Sequence, residues 1–163
     1  MISLENFEII NFDKNNFNHM EVYNDLDKGE SKSNMISLIG ERLLLSRKTS
    51  ELEYQNAYLI SKNCQILGYL YLSSKSVDHI YVELSILKKY RKNKIGSQVL
   101  NEVTDYIFLN NNDLKEIRLS IDKSNIGSMK VAMNAGYFYD DDDYRNEKID
   151  FTKNNPYYIS KKR

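Results

Sequence analysis

The richest stretch for chemistry is Leu84-Ser-Ile-Leu-Lys-Lys-Tyr-Arg-Lys-Asn-Lys-Ile-Gly96-Ser97, where an apolar strand candidate runs into a basic loop that opens a helix. Five of the seven residues from 88 to 94 are cationic: Lys88, Lys89, Arg91, Lys92 and Lys94. The first amides of a helix have no partner inside it and carry partial positive charge, so a loop feeding them suits an anion. Gly96 lets backbone approach a phosphate where a side chain would stand in the way. A monovalent anion would not need so many cations; a pyrophosphate with a further phosphate would. A solvated basic loop between strand and helix has the same appearance, so spacing alone leaves both readings open.

The elements around this loop follow from hydrophobic periodicity. Alternation predicts strands over 7–12, 57–61, 66–73, 80–87 and 117–121, the second and third joined by a hairpin turn at Lys62-Asn63-Cys64-Gln65. Apolar residues at helical spacing predict helices from Phe17 to Tyr23, capped by Asn15 or Asn16, and from Ile36 to Leu43, after a polar loop at 27–34. Further helices are expected from Ile95 to Ile107 and over 125–134. Residues 137–139 and 157–161 read as the last strands, joined by a charged loop over 140–155. The order β-α-α-β-β-β-α-β-α-β-β predicts an α/β fold with a mixed, mostly antiparallel sheet and helices on both faces. Strand 80–87 should run parallel to strand 116–121 through a right-handed crossover.

Composition narrows the classes. At 163 residues, one domain with a sizeable core is expected, and about 70% of the unfolded surface can be buried at that size. Lys+Arg 23 against Asp+Glu 23 argues against a nucleic-acid binder. The lone Cys64 cannot form an internal disulfide, and two histidines with one cysteine make no Cys/His metal site. No apolar run approaches the roughly 20 residues of a membrane span, and Met1-Ile2-Ser3-Leu4-Glu5-Asn6 has no basic n-region. A cytoplasmic protein, monomeric or homodimeric, is the expectation.

The loop also carries a family pattern. Arg91-Lys92-Asn93-Lys94-Ile95-Gly96 resembles the Gln/Arg-x-x-Gly-x-Gly/Ala signature of the Gcn5-related N-acetyltransferases (GNAT). Asn125-Ile-Gly-Ser128-Met-Lys-Val-Ala-Met-Asn-Ala-Gly136-Tyr137 is similar to that family's second motif, an Asn-x-x-Ser/Ala helix ending in Gly-Phe/Tyr. The two motifs flank one strand, as in the family, and the resemblance spans about residues 80–139.

The resemblance implies an acyl-CoA-dependent acetyltransferase with acetyl-CoA as cofactor and an amine as acceptor. A bulge would splay strand 80–87 from its parallel neighbour, leaving the main chain of Leu84, Ser85 and Ile86 to pair with the pantetheine arm. A nearby N–H would polarise the thioester carbonyl. Loop residues Arg91, Lys92, Asn93, Lys94, Ile95, Gly96 and Ser97 would wrap the pyrophosphate. Asn125, with Ser128 beside it, would meet the cofactor from the next helix. The serine-containing second motif looks slightly more like the branch that acetylates protein N-termini.

Three positions depart from the pattern. Lys94 stands where the loop expects glycine; a left-handed backbone there costs roughly 1 kcal/mol or more. Ala132 replaces the tyrosine that protonates the leaving thiolate in many relatives, and Ser120 stands where some carry a catalytic glutamate. These losses lower rate rather than abolish reaction, because general-acid help is worth typically 10²–10⁴-fold and a thiol of pKa about 8.5 leaves tolerably near pH 7. The amine is harder: a pKa of about 10.4 asks for roughly 4 kcal/mol from a base, desolvation or high pH.

Glu83 is the candidate base, on the strand face shared with Tyr81 and Ser85, though a solvated or lysine-paired strand glutamate fits too. Tyr137 and Tyr139 are the candidate acids, set against core or rim roles. Ser128 reads as a helix cap or packing residue, and the carboxylates at 140–143 as a solvated tip or an attraction for a cationic acceptor. His79, Cys64 and the tail at 161–163 read as surface. Two other functions compete: a regulatory acyl-CoA-binding module without turnover, and a nucleic-acid binder using 88–94.

Overall fold

The computed structural model describes residues 1–26, 32, 35, 54–74, 76–91, 93–139 and 147–159. Strands β1 (Ile2–Ser3) and β2 (Glu8–Asn11) open the chain, and helix α1 (Phe17–Asp25) follows. Asn16 caps α1, its side chain accepting from the amides of Asn18 and His19, the arrangement that leaves fewest orphan donors in the first turn. The helix expected from Ile36 to Leu43 lies outside the described residues, as do 140–146, Lys92 and the tail at 160–163.

The middle of the chain folds as the alternation predicts. β3 (Tyr54–Lys62) and β4 (Gln65–Ser74) pair antiparallel, with Lys62 opposite Gln65. Asn63 (φ 51°) and Cys64 (φ 65°) make the turn between them. Two left-handed residues in succession match the right-handed twist of the flanking strands. β5 (His79–Ile86), a short 3₁₀ turn (Lys88–Tyr90) and α2 (Ile95–Asn110) come next, then β6 (Glu116–Asp122), α3 (Ile126–Asn134), β7 (Phe138–Tyr139) and β8 (Lys148–Asn154).

The sheet order is β1-β2-β3-β4-β5-β6-β8-β7. Only β5 and β6 pair in parallel among the described strands. Helices cover both faces, as expected. Val99, Leu100, Val103, Ile107 and Phe108 of α2 meet Ile80, Val82 and Ile86 of β5 on one face. Val22 and Tyr23 of α1 sit on the other, beside Leu59, Tyr69 and Tyr71. Each fully buried aliphatic residue contributes about 1.5–3 kcal/mol, so the α2 stripe alone anchors its helix firmly.

One expectation is corrected: residues 157–159 form no strand, 160–161 lie outside the described residues, and the last described strand is β8, inside the span expected as a charged loop. Ile149 and Phe151 of β8 alternate with Lys148, Asp150 and Thr152, a period of two that charged residues disguised as loop. β8 pairs with β6 along its whole length, from Glu116↔Asn154 to Asp122↔Lys148. Asn155 then ends it, its side-chain amide donating to Asn111 O and Leu114 O, and Pro156 cannot extend the ladder.

Candidate active site

β5 and β6 share only three pairs: His79↔Glu116, Ile80↔Ile117 and Tyr81↔Arg118. Residues 82–86 and 119–122 then run on without each other, so the parallel pair splays toward its carboxyl ends. This is the expected gap, but its cause differs from the expected bulge. The β4–β5 register is unbroken from Gly68↔Ile86 to Ser73↔Tyr81; the one register shift in the neighbouring ladders is at Ile60/Ser61, between β3 and β4.

Helix α2 begins at the open end of this gap. Its first residues follow Lys94, whose backbone is left-handed (φ 59°, ψ 14°) and whose side chain makes no cap hydrogen bond. The conformation anticipated for a glycine at this loop position is therefore present with a lysine in it. Lys88, Lys89, Arg91, Asn93 and Lys94 are exposed. Arg91 also turns back, its Nε donating to Ile86 O at 2.7 Å, which ties the loop to the end of β5.

Gly96 lies in the first turn of α2. A Cβ there would lie 3.5 and 3.6 Å from the methyls of Val131 and 3.9 Å from Ile86 Cγ1. It would face α3 and β5 rather than the space ahead of the helix, at ordinary contact distance. Ser97 Oγ reaches toward Val131 O at 3.5 Å, on the same side.

Helix α3 starts at the carboxyl end of β6, so the N-termini of α2 and α3 bracket the splay, the place where open α/β sheets bind ligands. Asp122 shapes the turn: its Oδ1 accepts from both the amide and hydroxyl of Ser124. Those bonds hold its carboxyl below the usual range. Asn125 caps α3, Oδ1 accepting from the Ser128 amide at 3.1 Å. Its NH₂ group keeps its two donors for another partner. Ser128 thus takes part in the cap through its backbone.

The three catalytic candidates separate. Glu83 is exposed on β5, level with the start of the splay, on the face that carries Tyr81 and Ser85. Tyr139 is 50% exposed on the outermost strand, its ring 6.0 Å from that of Phe151. Tyr137 is 3% exposed, and its hydroxyl is 2.5 Å from Thr104 Oγ1. Burial pushes its ionisation far up, which the Thr104 bond only partly offsets. It is a core residue. Gly136 (φ 83°) explains why: Tyr137 N donates to Ala132 O and Gly136 N to Met133 O, the helix-ending pattern that turns the next residue inward. Ala132 lies in the same core.

Several residues of this region escaped the sequence reading. Tyr81 Oη donates to Asp150 Oδ2 at 3.0 Å. Arg118 of β6 pairs with Tyr81 in the ladder and its side chain is held by Glu116 at 2.6 Å. Burial first, then Asp150, pushes the Tyr81 phenol up. Only the three-dimensional register brings these residues together, because they come from β5, β6 and β8. Among the described residues no group of His, Cys, Asp and Glu is placed to hold a metal ion. No helix among them is long and apolar enough to cross a membrane.

A mixed sheet in which, among the described strands, one parallel pair splays beside the start of α2 is the fold that the resemblance implied. The chain belongs to the GNAT family: the acetyltransferase (GNAT) domain matches residues 9–137. No curated protein sequence matches it. Among solved structures it is similar to spermidine N-acetyltransferase from Vibrio cholerae in complex with CoA and spermine, at 11% identity and TM-score 0.67, over 95% of this chain and 99% of that one. It is similar to the N-acetyltransferase PseH of Campylobacter jejuni at 16% identity and TM-score 0.65, over 91% and 97%. The ribosomal-protein-S5-alanine acetyltransferase of Vibrio fischeri matches at 18% identity and TM-score 0.55, over 65% of this chain and 64% of that one, less than two thirds of its length. At such identities these likenesses carry the fold alone.

Proposed function

We propose that the protein is an N-acetyltransferase that moves an acetyl group from acetyl-CoA to a primary amine, within a ternary complex. The observation that carries this reading is the end of the β5–β6 ladder at Tyr81↔Arg118, with the start of α2, which the Lys94 side chain does not cap, at the open end of the gap. The amides of Ile95, Gly96 and Ser97 would hold the diphosphate, with Lys94, Arg91 and Lys92 supplying charge and Asn93 completing the loop. The main chain of Leu84, Ser85 and Ile86 would line the pantetheine arm, and the Asn125 NH₂ would reach it from α3. Bound there, acetyl-CoA supplies the activated thioester.

Glu83 is the group we assign to take the proton as the amine attacks, since it is exposed beside the gap. A C–N bond forms as the C–S bond breaks, and coenzyme A leaves as the thiol. Tyr139 is the remaining candidate acid, Tyr137 being enclosed. Holding amine and thioester together supplies several kcal/mol without an acid–base residue. Monomer or homodimer, and a cytoplasmic setting, complete the proposal.

A second reading, a binding module without turnover, is favoured by one observation: Ala132 is fully buried and Tyr137 is enclosed, so the second motif presents no acid to the gap. Coenzyme A release measured against polyamines, lysine and N-terminal peptides separates the two. Release with any acceptor supports the enzyme. Coenzyme A binding with no release from any of them favours the module.

A further inference from the structure

We infer that Gly68 is a positioning residue for the acyl-CoA gap: the absence of a side chain on β4 lets the end of β5 lie where it lines the cleft. The inference rests on the acyl-CoA reading above. Gly68 is buried in the interior of β4, opposite Ile86, a place where glycine weakens a strand and marks close approach of another backbone. A Cβ built there would lie 2.0 Å from Ser85 O, 2.9 Å from Ile86 Cα and 3.0 Å from Ser85 C. All three are main-chain atoms, so no side-chain rotation relieves the overlap. β4 and β5 would have to move relative to each other.

The atoms in the way belong to the segment assigned to the pantetheine arm. That segment is pinned elsewhere as well: Arg91 Nε holds Ile86 O at 2.7 Å, Leu87 N donates to Leu67 O at 2.8 Å, and Ile86 abuts the first turn of α2. A methyl group at position 68 therefore has two outlets, shifting one wall of the gap or tilting the start of α2. Either displaces groups meant to hold one ligand, and misplacement of about 1 Å can cost on the order of 100-fold in such sites. By contrast, a methyl at Gly96 fits without displacement, so the requirement is particular to position 68.

The test is calorimetric titration of coenzyme A into the wild-type chain, Gly68→Ala and Ile9→Ala, with thermal melts of each. Ile9 is buried in β2, which is separated from β5 by β3 and β4 in the sheet, so Ile9→Ala is the control for a loss of stability alone. Cys64→Gly, which eases the left-handed turn at φ 65°, provides a stabilised background in which Gly68→Ala folds. The expected result is a dissociation constant raised about tenfold or more by Gly68→Ala, against less than about twofold for Ile9→Ala. Equal affinity in Gly68→Ala and wild type overturns the inference and leaves the acyl-CoA reading standing. So does an equal loss in both variants, or failure of Gly68→Ala to fold even with Cys64→Gly, since each makes Gly68 a folding residue only. No binding by the wild-type chain overturns both readings.

Discussion

Tyr81 on β5 donates to Asp150 on β8 at 3.0 Å, reaching over β6, the strand that lies between them. The bond sits where the parallel ladder ends, at Tyr81↔Arg118, so it closes the vertex of the gap. Arg118, opposite Tyr81 in the ladder, is itself paired with Glu116. Tyr81→Phe is expected to lower stability by about 1 kcal/mol. A double-mutant cycle with Asp150→Ala should show a coupling of about 0.5 kcal/mol or more. Additive losses would mean that the vertex is held by backbone alone.

Tyr137→Phe should lower stability by about 1–2 kcal/mol, because it leaves the buried Thr104 hydroxyl without its partner. Turnover and its pH profile should not change in urea-free assays below the melting temperature. A selective loss of turnover with an unchanged melt would place the phenol back in the reaction.

Lys94 holds a left-handed backbone that glycine would adopt without strain. Lys94→Gly is expected to raise stability by about 1 kcal/mol. It should weaken coenzyme A binding by about two- to fivefold at low salt, the difference shrinking as salt screens the exposed charge. Unchanged affinity at low salt would remove Lys94 from the phosphate site.

Both histidines are pushed below their ordinary value of 6.5, burial being the first cause, and Arg118 adds to the effect at His79. His19 Nδ1 also accepts from the Asp13 amide, a bond that its protonation would break. The unfolded chain therefore binds more protons than the folded one just below pH 6.5. Stability is complete above that value and falls as pH is lowered through it. Urea midpoints at about pH 7.5 and about pH 5.5 should differ in that direction, less so in a His19→Asn, His79→Asn variant. A midpoint that rises on acidification would contradict the sign.

Much of this was legible in residue types and spacing. The basic run leading into α2 and the left-handed position at Lys94 are local features, set by neighbours in sequence. The parallel pairing of β5 with β6 followed from the crossover rule. What escaped was decided by distant partners. β8 carries Lys148, Asp150 and Lys153 among its apolar residues, and only pairing with β6 makes it a strand. Tyr137 read as a strand residue because the turn at Gly136, which sends it inward, is a helix-end geometry. Gly68 carries no mark in the sequence, because only the pairing of β4 with β5 brings Ser85 against it. The side of Gly96 that a Cβ would occupy is likewise set by Val131, a residue of the next helix.

The most direct test of the central claim is electron density from a crystal of the protein grown with coenzyme A. The account predicts the diphosphate within hydrogen-bond distance of the Ile95, Gly96 and Ser97 amides, and the pantetheine arm between residues 82–86 and 119–122. Density for coenzyme A elsewhere on the protein, with those amides facing only water, would contradict it.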